Sequence, residues 1–400
     1  MLTVREAQSR ILARIDSPAP PETVAIACAL GRVLAEDVRA PIDVPATDNS
    51  AVDGYAVAAS DIPVSGTRSL DVVAEVPAGA VYDRVVSAGQ AVRIMTGAPM
   101  PAGADTVYPQ EIVVATGTRI EIPPIDKGAN VRRRGEDVSA GHVVLAAGTA
   151  IRAQEMGVAA SLGLARLLVR QKPRVAVFST GNEVAEPGDE RTPAQIYDSN
   201  RFTLRGLAEG AGASVTDYGI VPDVFDELHT RLLSAATSHD VVLTSGGVSV
   251  GDHDLVKSVL ADAGGIDFWQ VAMQPGRPVA VGRIGGTHFF GLPGNPVAAM
   301  LTFHLFVRPA LAKLAGRRDL DVPRFRAVAM EPMRKKRGRS EFKRGVLTYT
   351  GDRWEVRMTG PQGSGILTSM TQANCLIVVE EDAGDVTPGE LVWVEPFALA

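Results

Sequence analysis

Gln171-Lys172-Pro173-Arg174-Val175-Ala176-Val177-Phe178-Ser179 is the stretch on which the reading of the fold turns. After the proline and Arg174 come four apolar residues without alternation, the pattern of a strand buried on both faces of a parallel sheet. The sequel alternates: a helix over 199–210, a strand over 214–221, a helix over 226–236, a strand over 240–244 and a helix over 254–263. Strands near Val271 and Phe289 and a helix over 297–314 complete it. Strands alternating with helices predict a doubly wound α/β domain beginning near Arg170.

Upstream, Val4, Ala7, Ile11 and Ile15 recur at helical spacing, the prolines after Ser17 stop that helix, and 30–37 reads as a second one. Short Val and Ile runs at 70–76, 91–95, 106–108, 119–122 and 142–145, separated by Gly, Pro and Asp turns, predict a β-rich region. Residues 151–164 return to helical character. Downstream of Gly316, strands over 326–330, 346–349, 354–358, 375–379 and 391–395 predict a small β-barrel or sandwich. The fold class is therefore α/β and multidomain, as 400 residues at roughly 100–200 per domain also require.

A net charge of -6 argues against a nucleic-acid binder, which needs a basic surface to displace counterions from phosphates. The one basic run, Arg334, Lys335, Lys336, Arg337 and Arg339, suits a solvated hairpin or a local anion site. Cys28 and Cys375 stand far apart in no metal-ligand spacing, so neither a disulfide framework nor a zinc site is expected. The amphipathic start is unlike a signal peptide and no run reaches the roughly 18 apolar residues of a membrane span, so no membrane partner and a cytoplasmic location are expected.

Ligands of open α/β sheets bind beyond the carboxyl ends of the strands, which singles out three places. Ser179-Thr180-Gly181-Asn182-Glu183 combines a glycine turn with hydroxyls and a carboxylate, although ordinary strand-to-helix turns favour the same residues. In Thr244-Ser245-Gly246-Gly247-Val248-Ser249-Val250-Gly251-Asp252-His253-Asp254, paired glycines let N–H groups converge, Ser245 and Ser249 add donors, and a helix start adds a positive dipole end. It lacks the lysine of a Walker loop and the spacing of a dinucleotide fingerprint. Third, Pro275-Gly276-Arg277 and Pro293-Gly294-Asn295-Pro296 offer rigid backbone rims, with Arg277 able to grip an anion in bidentate fashion.

These motifs, together with Asp48-Asn49-Ser50-Ala51-Val52-Asp53-Gly54-Tyr55-Ala56, Met95-Thr96-Gly97-Ala98-Pro99, Arg133-Arg134-Gly135-Glu136-Asp137 and Ile196-Tyr197-Asp198-Ser199-Asn200, resemble the molybdopterin molybdenumtransferases. That family is MoeA in bacteria and the E domain of gephyrin, and the resemblance covers nearly the whole chain. It implies four domains: a discontinuous helical and mixed domain (1–44 and 141–169), a β-rich insertion (45–140), an α/β molybdopterin-binding domain (170–316) and a C-terminal β-barrel (317–400). It implies a reaction in which molybdate enters adenylylated molybdopterin and AMP leaves, assisted by Mg2+, in a homodimer that also contacts the molybdopterin adenylyltransferase.

Carried over residue by residue, the family's acidic positions fall on Asp53, Asp137, Glu183, Asp223 and Asp254, with Asp223 and Asp254 as magnesium ligands. Thr180, Gly181, Ser245, Gly246, Gly247, Val248, Ser249 and Gly251 become the pterin cradle, and Pro275, Gly276, Arg277, Pro293, Gly294, Asn295 and Pro296 its rims. Arg339, Arg344, Ser364 and Ser369 are the nominees for molybdate, a dianion that needs donors rather than carboxylates. The sequence departs from a common family pattern at Gln274, where many members carry Lys, and at Ala298, where many carry Ser. Alternatives are an adenylyltransferase-like activity, since the α/β segment alone resembles that enzyme, and a non-catalytic pterin-binding scaffold.

Overall fold

The structure is a computed structural model that describes residues 1–16, 18–77, 79–246 and 265–397. Its central sheet holds six strands in the order Ser214–Val221, Arg174–Thr180, Val241–Ser245, Thr287–Leu292, Pro278–Ile284, Ile266–Gln270. The first four run parallel, and the last two are added antiparallel. The helix expected over 254–263 lies outside the described residues.

Both faces of the sheet are covered, as the unbroken apolar run requires. On one side Val175, Val177, Val241, Leu243, Phe290 and Leu292 pack against Leu204 and Ala208 of the helix Asn200–Gly210 and Leu301 of the helix Pro296–Thr302. On the other, Ala176, Phe178, Val242 and Phe289 meet Leu228, Leu232 and Ala235 of the helix Phe225–Ala236. The strand expected near Val271 ends one residue earlier, and Val271 makes a single bridge to Leu2. Pro278–Ile284 escapes the sequence reading because it opens on a proline, which a strand tolerates only at its start or on an edge.

The N-terminal helix Val4–Ala13, begun by a capping box between Thr3 and Glu6, sends Val4, Ala7 and Ile11 into this same core. It lies against the segment Pro296–Leu314, which is long and apolar enough to cross a membrane by length and composition but is 78% buried in the protein, as a core helix is. Pro309 interrupts that segment: it has no N–H to give the carbonyl of Leu305 four residues back, and a π turn occupies Phe303–Val307. The Leu305 carbonyl takes its hydrogen bond instead from Gln8 Nε2 at 3.0 Å.

The helix expected over 30–37 does not form. Gly31 sits at φ +74°, which ends any helix there, and Val33 and Leu34 make single bridges to Ala150 and Val169. The strands Pro21–Ala25 and Arg166–Arg170 pair antiparallel, and the helix Ala153–Ser161 closes a small core of Ala29, Leu34, Ile151, Ala159, Leu167 and Val169. The β-rich insertion is a six-stranded sheet ordered Thr106–Pro109, Gly54–Val57, Gln90–Ile94, Arg68–Val76, Arg119–Ile122, Val114–Thr116. Alternate residues feed two cores, Tyr55 and Val57 one, Ala56 the other.

At the C-terminus five strands, Ser340–Tyr349, Trp354–Met358, Phe325–Ala329, Leu391–Pro396 and Cys375–Val379, close into a barrel by pairing of the first with the last. Two links dock it on the α/β domain: Met273–Gln274 runs parallel to Ser340–Glu341, and Glu395 accepts from His304 Nε2 at 2.8 Å and from Arg324 Nε. Glu395 is 1% exposed. Burial raises its pKa, but His304 and Arg324 outweigh burial and hold the carboxyl below the usual range.

A carboxyl with a depressed folded pKa contributes stability that is fully present above its unfolded value, about 4.3, and is lost as pH falls through the folded one. Thermal unfolding followed from roughly pH 6 to pH 3 should therefore decline more steeply for the unmodified chain than for Glu395→Gln. Equal slopes would show that this junction does not titrate.

Candidate active site

The ladder register brings the candidate loops to one edge. Thr180 lies beside Val221, Ser179 beside Ser245, and Ser245 beside Leu292, so the segments starting at Gly181, Pro222, Gly246 and Pro293 leave the sheet side by side. The rim thus gathers Thr180, Gly181, Glu183, Asp223, Ser245, Gly246, Pro293, Gly294, Asn295 and Pro296. Gly247, Val248, Ser249, Gly251 and Asp254 lie outside the described residues.

Two glycines on this edge are favoured by their left-handed backbone, and Gly246 by close approach to another strand as well. Gly246, at φ +93°, would place a Cβ 2.8 Å from the Thr180 carbonyl oxygen, and Gly181, at φ +129°, would place one between the two Glu183 carboxylate oxygens, 2.5 and 2.7 Å away. The Glu183 carboxylate therefore folds over the turn. Asp223 stands at the other side, its backbone N–H donating to Asn182 Oδ1 at 3.2 Å. Both carboxylates are exposed.

Asn200, at the start of its helix, holds the edge together. Its Nδ2 donates to Ser245 Oγ and to the Gly294 carbonyl, each at 2.7 Å, tying the two glycine loops to each other. Behind it Arg201 is 5% exposed and paired with Asp198, Asp217 and Glu186. Burial works against that guanidinium, yet the three carboxylates hold its pKa above the ordinary range. Three buried polar atoms on this edge, Ser179 Oγ, Thr244 Oγ1 and Asn200 Oδ1, have no partner among the described residues. Asn200→Ala removes two hydrogen bonds at about 1 kcal/mol each, so urea unfolding should register a loss of about 2 kcal/mol. A change under about 0.5 kcal/mol would mean that the loops are held by other contacts.

The remaining rim residues come from neighbouring elements. Gly276 packs on the helix that Pro296 begins, where a Cβ would lie 2.7 Å from Thr302 Oγ1 and 3.4 Å from the Ala298 carbonyl. It carries Pro275 and an exposed Arg277 with no side-chain partner among the described residues. Gln274 sits in the ladder beside Glu341. From the barrel, the Ser364 carbonyl accepts the Val297 N–H at 3.1 Å. Arg344 is 1% exposed, donates to Ser369 Oγ and the Gly363 carbonyl at 3.0 Å each, and has its pKa lowered by burial. Arg339 reaches Glu341 at 3.8 Å, and its Nε is buried without a hydrogen bond.

Asp53 and Asp137 occupy a separate place in the β-rich insertion. Their motifs are zipped together by Ser50 pairing with Val131 and by Asp48, which accepts from Arg133 at 2.8 Å and from the Arg134 N–H at 2.7 Å. Asp53 Oδ1 accepts from the Thr96 hydroxyl at 2.6 Å and the Thr96 N–H at 2.7 Å, bonds that hold its pKa low. Asp137 is exposed, with its backbone N–H on the Val44 carbonyl. Among the described residues neither aspartate bonds to the α/β rim. Thr96 and Asn200 escape the sequence reading as site residues: each stands in a quoted motif, but a threonine before a Gly turn and an asparagine at a helix start have ordinary local uses.

The described residues contain no group of three or more His, Cys, Asp or Glu side chains placed for a metal ion. Magnesium commonly takes one or two carboxylates and completes its shell with water and substrate phosphate, a pattern that Asp223 on this rim fits.

A family model described as the MoeA N-terminal region (domain I and II) matches residues 2–163, a probable molybdopterin binding domain matches 176–313, and the MoeA C-terminal region (domain IV) matches 326–397. The chain is 41% identical to a molybdopterin molybdenumtransferase of Haemophilus influenzae, over 99% of each chain. It is 38% identical to molybdopterin molybdenumtransferase 2 of Mycobacterium tuberculosis, over 98% of this chain and 99% of that one. A molybdopterin biosynthesis moeA protein from Pyrococcus horikoshii superposes with a TM-score of 0.88 at 32% identity, over 99% of this chain and 100% of that one.

Proposed function

Because this chain belongs to the molybdopterin molybdenumtransferase family and is a transferase of molybdenum cofactor biosynthesis, we propose that it inserts molybdate into adenylylated molybdopterin and releases AMP. The observation that carries this reading is the shared edge where Ser245, Gly246, Gly294 and the Glu183 turn meet, with the barrel docked beside it. Converging glycine loops at strand ends suit a phosphate-bearing pterin. Thr180, Gly181, Ser245 and Gly246 cradle the substrate, together with Gly247, Val248, Ser249 and Gly251; Pro275 to Arg277 and Pro293 to Pro296 form its rims.

Arg339, Arg344, Ser364 and Ser369 supply donors to molybdate. Glu183, Asp223, Asp254, Asp53 and Asp137 are the catalytic carboxylates. Asp53 and Asp137 keep local partners in the insertion, which supports a homodimer in which they act on the partner's rim. Magnesium, held by Asp223 with Asp254, would neutralise charge on the substrate phosphates. The protein works in the cytoplasm, receiving substrate by contact with the molybdopterin adenylyltransferase.

The deciding experiment is AMP release from adenylylated molybdopterin by the purified protein, with and without molybdate and magnesium, followed by reconstitution of a molybdenum-free apoenzyme. Molybdate-dependent release with reconstitution is expected. Pterin binding without turnover would identify a scaffold, and adenylylation of free molybdopterin would identify the earlier enzyme.

A further inference from the structure

Between the strand Trp354–Met358 and the short helix Thr368–Gln372, residues 359–367 run with neither helix nor strand to hold them. Three consecutive residues of this stretch, Gln362, Gly363 and Ser364, fasten it to two domains at once.

The ladder between Ser340–Tyr349 and Trp354–Met358 ends at Gly345, opposite Met358. Arg344, the next residue along, therefore lacks a ladder partner on that side. Its backbone N–H donates instead to Gln362 Oε1 at 2.8 Å, and its carbonyl accepts from Gln362 Nε2 at 3.3 Å and from the Thr359 N–H at 3.0 Å. One side-chain amide thus stands in for the missing strand residue, donor and acceptor together. The guanidinium is held by the same stretch: Nη2 donates to the Gly363 carbonyl and Nε to Ser369 Oγ, each at 3.0 Å. Both acceptors are neutral, so the positive charge stays available to an oxyanion. One residue on, the Ser364 carbonyl accepts the Val297 N–H at 3.1 Å, in the first turn of the helix that Pro296 begins. The stretch therefore ties Arg344 of the barrel to the Pro293–Pro296 rim of the α/β domain.

We propose, on the reading that Arg344 donates to molybdate, that Gln362 is a positioning residue for that oxyanion. By fixing the Arg344 backbone it keeps the guanidinium in register with the rim on which the pterin sits, a support that a binding group on an edge of a ladder needs. Gln362 itself touches neither substrate.

Asn374 provides the matched control. Three residues further along the strand, its amide clamps Leu347 in the same way, accepting the Leu347 N–H at 2.7 Å and donating to the Leu347 carbonyl at 2.9 Å. The experiment compares Gln362→Ala with Asn374→Ala in the full chain, by molybdate-dependent AMP release and by calorimetric titration of molybdate. Gln362→Ala should raise the molybdate KM and weaken molybdate binding about tenfold, while kcat at saturating molybdate and the affinity for adenylylated molybdopterin change by less than about twofold. Asn374→Ala should lower the thermal midpoint as much and leave the molybdate KM unchanged. An unaltered KM in Gln362→Ala, or the same rise in Asn374→Ala, would overturn the positioning role. If Gln362→Ala does not fold, Gln362→Asn, whose amide is one methylene short, should raise the KM at least about threefold, and an unchanged value overturns the role equally. Weakened molybdate binding in Gln362→Ala from a chain that releases no AMP would refute the transferase reading and keep the positioning role; a chain that binds no molybdate refutes both.

Discussion

Gly54→Ala should destabilise the protein by about 3 kcal/mol or more, read as a fall in the urea midpoint or a loss of soluble chain. The residue lies in the strand Gly54–Val57, between Ile94 on one side and Pro109 on the other. Its backbone has no need of a left-handed conformation; the constraint is space. A Cβ at this position would overlap the Tyr108 carbonyl oxygen, with the carbonyl carbon at 2.8 Å and Pro109 Cα at 3.1 Å. These are backbone atoms of a paired strand, so nothing can swing aside, and the ladder at the centre of the insertion must part. Gly157→Ala is the matched control: it sits inside the helix Ala153–Ser161 with open space around it, so the added methyl should stabilise by about 0.5–1 kcal/mol. If Gly54→Ala unfolds like the unmodified chain, the close approach of these two strands is wrong.

One residue earlier, the expected effect moves from folding to turnover. Asp53→Asn should lower molybdate-dependent AMP release about 100-fold, the scale of a lost general acid–base or charge contribution, with little change in thermal midpoint. An amide oxygen can still accept from the Thr96 hydroxyl and N–H, so the turn persists, while the charge that those bonds hold in place is gone. Asp53→Ala loses the two bonds as well and should be no more active. A variant with full activity would remove Asp53 from the chemistry; one that unfolds would make it a structural residue of the turn before the strand Gly54–Val57.

Much of the architecture is legible because burial on two faces leaves a plain trace. The run at 175–178 predicts a central parallel strand, and Arg174–Thr180 is one. The helix 199–210 and the strands 214–221 and 119–122 are found within a residue of their expected bounds. What fails depends on contacts distant in sequence. Gly31 and the edge pairing of Leu34 overrule a helical pattern at 30–37, and Pro278 conceals a strand that tolerates a proline only because it comes first. The strand-end loops are legible in the site because their position follows from the strands. The role of Asn200 is not, since nothing local says that Ser245 and Gly294 will converge on one amide 45 and 94 residues away.

The seat of the N-terminal helix also sets an order of events during synthesis. Gln8 is hydrogen-bonded to Leu305 across 297 residues, and Lys313 Nζ to the Leu12 carbonyl across 301. The helix Val4–Ala13 therefore waits for a segment made about 300 residues after it. At about 5–20 residues per second that interval is on the order of 15–60 s. Throughout it, the segment Pro296–Leu314 that bonds Gln8 and the Leu12 carbonyl is still to be made, while the insertion can already close its sheet. A nascent chain stalled near residue 250 should expose this helix to chaperones or protease, and one stalled well past 314 should shelter it.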